Sequence, residues 1–228
     1  MKNVEKQFDA VANDYDKQRR SLIPCFNDFY GVAIENLVLE NEEPVLMDIG
    51  AGTGLFSEMV LQKYPLAHIE LIDISNEMLQ MAKQRLVAYP NVRTTKININ
   101  DVHLANNQYD AVISSLAIHH LTDEEKKNIY QKIYHGLKSG GIFLHAEQVL
   151  AANGHLTEVY HNTWVDKITK SGLSDEVIKQ ALERVKLDKR TALDTQLGWL
   201  TEIGFRNVDC LYKYYDFVVM KAEKQPVA

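Results

Sequence analysis

Cysteine is scarce in this chain. Its two cysteines, Cys25 and Cys210, stand far apart, without the spacing of a metal knuckle or the density of a secreted disulfide framework. A reducing, cytoplasmic setting is the simplest expectation. Long apolar runs are missing too: none approaches the roughly 20 residues that cross a bilayer, and the opening "MKNVEKQFDAVANDYDKQRR" has no apolar signal-peptide core. A soluble protein without a membrane partner is expected. Basic residues are outnumbered, with 25 Lys and Arg against 31 Asp and Glu for a net charge of −6. Non-specific nucleic-acid affinity comes from neutralising phosphates with cations, so no nucleic acid is expected as a partner. The one tight basic cluster, "KLDKR" at 186–190, is interrupted by Asp188 and reads as a solvated helix end. Internal repeats and low-complexity tracts are also lacking.

What is present fits one α/β domain. A chain of 228 residues that is 46% hydrophobic can bury one substantial core. Residues 45–49, "VLMDI", read as a short buried strand, and Leu55, Phe56, Met59, Val60 and Tyr64 follow at helical spacing. "HIELIDI" (68–74) is a second strand ending at Asp73. Ser75 then N-caps a helix carrying Met78, Leu79, Met81, Ala82 and Leu86. "RTTKINI" (93–99) and "YDAVISSLAI" (109–118) supply strands three and four. Thr122 and Glu125 form a capping box for a helix with Ile129, Ile133 and Leu137 on one face, stopping at Gly140-Gly141. "GIFLHAEQV" (141–149) is strand five. Such alternation implies a mainly parallel sheet with helices on both faces. Residues 150–204 turn purely helical, with Leu173 and Ile178 placed as a hydrophobic staple and Gly204 as a stop, and two β-rich runs close the chain as an antiparallel pair. The expected division of the single domain, 1–228, is an N-terminal helical cap (1–40), a cofactor-binding core (44–150), a helical insert or lid (150–204) and a closing strand pair (205–228).

The stretch "LMDIGAGTGLF" (46–56) carries the functional signal. Gly50, Ala51, Gly52 and Gly54 fall in the first strand-to-helix turn, the usual ligand contact of an open α/β sheet. The dinucleotide fingerprint G-x-G-x-x-G needs a third glycine where this chain has Leu55. Asp73, about 20 residues beyond the loop, can accept hydrogen bonds from ribose hydroxyls in either NAD or an adenosyl sulfonium. Asp48 discriminates, because an acid before the loop repels a pyrophosphate and favours a cationic ammonium or sulfonium. Asp101 can take an exocyclic adenine amine, assisted by Asn100.

"VLMDIGAGTGLFS", "LIDISNEML", "ININD" and "YDAVISSLAIHHL", in that order, resemble successive motifs of the class I S-adenosylmethionine-dependent methyltransferases of small-molecule type. The resemblance covers roughly residues 44–150 and the closing strand pair. It implies a Rossmann-like seven-stranded mixed sheet with the last strand antiparallel, and S-adenosyl-L-methionine as cofactor. By resemblance Asp48 and Gly50 lie by the methionine moiety, Gly52 and Gly54 in the loop, Asp73 on the ribose, Ile74 and Met78 against adenine or ribose, Asp101 on adenine, and Ser115 near the methyl donor. A similar "FD…YD" leader closes over the cofactor in many small-molecule members, so Tyr15 and Arg20 are expected near the methionine carboxylate or the substrate.

Catalysis is less legible. His119 and His120 stand where the family often builds the site wall, although a packing role fits them as well. His145 and Glu147, two apart on strand five, share a sheet face; they suit an acid-base pair or a hydrogen-bonded polar patch. No compact ligand motif marks a metal, and none is expected, although His119 or His120 with His155 or His161 would make one if they converged on that pair. Tyr160, Trp164, Trp199, Tyr212, Tyr214 and Tyr215 fit either an aromatic substrate pocket or the core. The acidic balance and "SSLAIHH", in place of the Asn/Asp-Pro-Pro-aromatic turn of amino-methylating nucleic-acid enzymes, favour a small-molecule methyl acceptor. The alternatives are a protein that binds or modifies S-adenosylmethionine without methylating, and an NAD-dependent oxidoreductase. A homodimer stays open.

Overall fold

The computed structural model describes residues 16–226 together with Glu5, Gln7 and Asp9. The leader residues Phe8, Val11 and Tyr15 lie outside the described residues. Residues 16–22 are helical, followed by α1 (Phe26–Asn36). Seven strands form one sheet in the order β3-β2-β1-β4-β5-β7-β6. Of these, β1 (Val45–Ile49), β2 (His68–Asp73), β3 (Val92–Lys96), β4 (Tyr109–Ser115) and β5 (Leu137–Gln148) are parallel. β7 (Phe217–Lys224) runs antiparallel to β5 and to β6 (Phe205–Tyr214). This is the expected Rossmann-like sheet with its reversed last strand.

Successive residues of a strand face opposite sides, and the core divides accordingly. Leu46, Leu71, Ile113 and Leu144 pack on one side with residues of α1, α2 (Leu55–Lys63) and α3 (Asn76–Arg85). Met47, Ile72, Val112 and Phe143 pack on the other with residues of α4 (Asp123–Gly136) and α7 (Leu193–Ile203). Covering both faces is why the central strands read as continuous apolar runs. The remaining helices, α5 (Gly154–Thr169) and α6 (Asp175–Arg184), send Trp164, Ile168, Ile178 and Ala181 into the first side's core.

The end signals act mostly as read. Ser75 accepts the Met78 N–H, Thr122 and Glu125 close their capping box, Leu173 and Ile178 join one cluster around the Ser174 cap, and Gly204 ends α7 at φ 118°. Three boundaries differ. α4 stops at Gly136, where a Cβ would meet that of Leu104 at 2.8 Å, and Gly140 at φ 75° lies within β5 rather than ending a helix. β3 stops at Lys96, because the Asn98 side chain accepts the Asn100 N–H and winds residues 99–101 into a 3-10 turn. β4 stops at Ser115, because Leu116 adopts a left-handed φ of 52°. Among the described residues no helix is long and apolar enough to cross a membrane.

Candidate active site

The three loop glycines all have positive φ: 69° at Gly50, 55° at Gly52 and 74° at Gly54. Gly50 is forced twice over, since a Cβ there would lie 2.2 Å from that of Ala117. At Gly52 a Cβ would meet nothing within 4 Å, so this backbone stays open to an approaching ligand. Asp73 fastens the loop, its Oδ2 accepting the Gly52 N–H and its Oδ1 the Ser75 N–H, both at 2.8 Å. Each oxygen keeps a lone pair for a ribose hydroxyl.

Asp48 is 1% exposed and accepts from Ser57 Oγ at 2.7 Å, while its Oδ1 is buried with no hydrogen-bond partner among the described residues. Burial pushes its carboxyl up to about 7, against the Ser57 hydrogen bond and the charge of Arg19. A buried carboxylate oxygen lacking a partner fits a cationic ligand. Met78 is buried and Ile74, four residues before it, is half-buried. Asn100 donates to Glu125 and its carbonyl accepts from Lys132, whereas Asp101 is exposed. The carboxyl ends of β1 and β2 therefore present two acids, Asp48 and Asp73, beside the glycine loop.

The N-terminal segment reaches this loop by residues the sequence did not single out. Asp16 accepts from Thr53 in the loop and pairs with Arg85, which also holds Glu58 at 2.5 Å; Asp9 accepts from Ser75 at 2.5 Å. Ser115 is met by Arg19 Nη2 at 3.1 Å and the Tyr30 hydroxyl at 2.8 Å. Arg20, the expected contact, is exposed over the Phe26 ring, while its neighbour Arg19 is buried. Helical phase decides between adjacent arginines, and it is set by packing that spacing alone does not reveal.

Beyond β4 and β5 lies a pocket lined by Leu116, His119, His120, Trp164, Asp188 and the buried Arg19. Left-handed backbone at a branched residue such as Leu116 costs on the order of 1–3 kcal/mol and persists only where its surroundings impose it. It swings 118–120 across the strand ends. Glu147 organises what stands there. Its oxygens accept His119 Nδ1–H, the His119 backbone N–H at 3.0 Å, His145 Nε2 at 3.0 Å and the Gln148 N–H at 2.7 Å. Burial works against ionising Glu147, yet the charge and hydrogen bonds of its histidine partners hold it below the usual carboxylate range. His119 is raised by Glu147 and Asp188 despite the opposing effect of burial, whereas burial and the neighbouring His119 drive His120 well below its ordinary value.

His119, His145 and Glu147 thus come together, and His120 stands beside them, its ring centroid 4.2 Å from that of His119. His155 is exposed and His161 packs beside Trp164. Asp188 is a correction to the sequence reading. It is not part of a solvated helix end: its carboxylate is 5% exposed and faces both ring histidines. The Lys189 N–H donates to the His119 carbonyl at 2.7 Å, and the fully buried Lys126 ammonium bonds the Lys189 carbonyl, clamping this strand of chain inward. Of the six noted aromatics, Trp164 lines the pocket; Trp199 is in the opposite core, and Tyr160 and Tyr215 pack edge to face.

The seven-stranded sheet with its reversed last strand defines a Rossmann-like α/β protein. Residues 46–141 match the family model of a methyltransferase domain. Over 98% of its length the chain is 24% identical to a carboxy-S-adenosyl-L-methionine synthase of Nautilia profundicola, covering 97% of that protein. It is also 30% identical over 145 residues to malonyl-[acyl-carrier protein] O-methyltransferase 2 of Ilyobacter polytropus, matching 63% of this chain and 52% of that one. Among solved structures it superposes on the apo S-adenosylmethionine-dependent methyltransferase SibL with a TM-score of 0.64 at 15% identity, covering 89% of this chain and 56% of that one. The chain spans only about half the length of these last two. These likenesses support a class I S-adenosylmethionine-dependent methyltransferase fold that takes S-adenosylmethionine as its cofactor.

Proposed function

We propose that the protein transfers the S-methyl group of S-adenosylmethionine in line to a small-molecule acceptor held in the pocket between Leu116, His119, His120 and Trp164. The observation that carries this reading is the position of that pocket. It opens beyond the carboxyl ends of β4 and β5, and Leu116–Ala117 form its boundary with the loop on which Gly50 packs. Open α/β sheets bind their ligands at such strand ends.

The cofactor, when bound, supplies an electrophilic methyl carbon on a cationic sulfur. Asp48 offers that cation a buried counter-charge, and Asp73 fixes the loop and the ribose end. Arg19, tied to Ser115, sits between groove and pocket and aligns the two ligands. Trp164, Leu116 and Phe217 exclude water. Holding acceptor and methyl carbon in line in this way can remove about 7–11 kcal/mol of barrier. Enclosure by helices, together with a net acidic chain, supports a small molecule over a polymer. The 150–204 stretch acts in this reading as a lid of a single domain.

A second reading has its own support. Similarity to proteins called carboxy-S-adenosyl-L-methionine synthase runs through the helical stretch, over 96–98% of the chain in several relatives. On that reading the chain modifies S-adenosylmethionine, and the pocket with its Arg19 and Arg184 side chains holds a carboxylate donor.

One experiment separates the two. The purified protein is incubated with methyl-deuterated S-adenosylmethionine and a small-molecule extract, then passed through a size filter and analysed by mass spectrometry. Label in a small acceptor together with S-adenosylhomocysteine supports the first reading, and a heavier sulfonium nucleoside supports the second. Label confined to retained polymer overturns both.

A further inference from the structure

We propose that His119, His120 and Asp188 bind a divalent first-row transition-metal ion, best suited to Zn2+, in the wall of the acceptor pocket. The three side chains offer one ligand atom each, all within 4.8 Å of one another. Asp188 Oδ1 lies 3.5 Å from His119 Nε2 and 3.3 Å from His120 Nδ1. Two donors about 2.0–2.2 Å from one ion at a tetrahedral angle stand roughly 3.3–3.5 Å apart, so Asp188 already stands at ligand spacing from each histidine. Imidazole with carboxylate suits this group of metals and not the oxygen-seeking Mg2+ or Ca2+.

The surroundings have the form that holds a metal ligand in place. Glu147 accepts the Nδ1–H of His119 and fixes the ring with Nε2 directed at Asp188. A carboxylate behind a ligating histidine sets its tautomer and raises its basicity. Asp188 is fixed by the Lys189–His119 backbone bond and by Lys126, so the carboxylate arrives from a distant part of the chain at a preset position. Three protein ligands leave one position, and all three residues line the pocket. That is the arrangement of a reactive rather than a structural zinc site. The fourth position takes water, or the oxygen, nitrogen or sulfur atom of an acceptor. This last role rests on the acceptor-pocket reading; the binding of the ion does not.

The test uses chelator-stripped full-length protein titrated with Co2+ and Zn2+, with S-adenosylmethionine affinity measured calorimetrically on the same samples. The expected result is one ion per chain, visible Co2+ bands of a four-coordinate site that Zn2+ abolishes, and no competition by Mg2+. Asp188→Asn and His120→Ala should each weaken Co2+ binding at least tenfold, whereas His103→Ala, at an exposed position, should leave it unchanged. Zinc-edge absorption of the unmutated protein supplies a check independent of how variants fold: two imidazoles and a carboxylate oxygen are expected. Absence of stoichiometric binding, or equal Co2+ affinity after Asp188→Asn, overturns the site. Intact S-adenosylmethionine binding in metal-free protein separates that failure from a failure of the methyl-transfer reading.

Discussion

The Asp73 carboxylate accepts the N–H of Gly52 at 2.8 Å, which joins the end of β2 to the glycine loop. Asp73→Ala removes that tie along with the ribose acceptor. Calorimetry should show S-adenosylmethionine affinity falling by about 1–3 kcal/mol, the cost of losing buried hydrogen bonds to a charged group, or roughly five- to 150-fold. Unchanged affinity would remove Asp73 from the site.

Two glycines of the same loop should behave differently on substitution by alanine. Gly50→Ala combines a left-handed backbone with a Cβ driven into Ala117, and should cost about 3 kcal/mol of stability. Gly52→Ala has the same backbone cost, about 1–2 kcal/mol, but no clash within the protein. Its loss should appear mainly in cofactor affinity. Denaturant titrations and calorimetry on both variants check this, and equal stability losses would count against Gly52 as the ligand-facing position.

Asp48 gives the site a pH signature. Burial raises its carboxyl to about 7 from an ordinary value of 3.8. A raised carboxyl keeps its proton longer in the native state than in the unfolded chain, so its contribution to stability falls as pH rises from about 4 through 7. Binding a cation favours the ionised form. S-adenosylmethionine affinity should therefore climb with pH, by up to about tenfold per unit, and level off above about 7. S-adenosylhomocysteine, lacking the sulfonium, should show a weaker slope, and Asp48→Asn should flatten the S-adenosylmethionine curve. A pH-independent affinity in the unmutated protein would exclude Asp48 as the counter-charge.

Trp164 Nε1 donates to the Leu22 carbonyl at 2.9 Å, linking α5 to the helical stretch 16–22. Cofactor binding should slow hydrogen exchange in 16–30 and 150–204 together, and Trp164→Phe should uncouple the two segments. Equal protection with and without cofactor would sink the idea of a closing lid.

The sheet was legible because each β-strand and its helix carry their period locally. Asp48 and the glycines could be read because they crowd into one strand-to-helix turn, and Asp73 because it closes the next strand. His145 and Glu147 could be paired for the same reason, since alternation puts them on one face. What escaped the sequence depends on contacts between distant segments. Nothing local distinguishes Arg19 from Arg20, or marks Asp188 inside a basic cluster as an inward carboxylate. Lys126, fully buried, looks in sequence like any solvated helix lysine. The left-handed turn at Leu116 had no glycine or asparagine to announce it.

That buried lysine also limits how the chain can diversify. Lys126 bonds the Lys189 carbonyl and the Thr191 hydroxyl, and Leu150 forms a lone β-bridge to Ala192, so both ends of the 150–192 stretch are anchored to each other and to α4. A recombinant that exchanged only this stretch with a relative would keep the parallel strands intact and inherit foreign Trp164 and Asp188 walls for the pocket beyond β4 and β5. It would keep its anchors only if residues 119–126 travelled with it, because Lys126 and the His119 carbonyl hold the far end of the stretch in place.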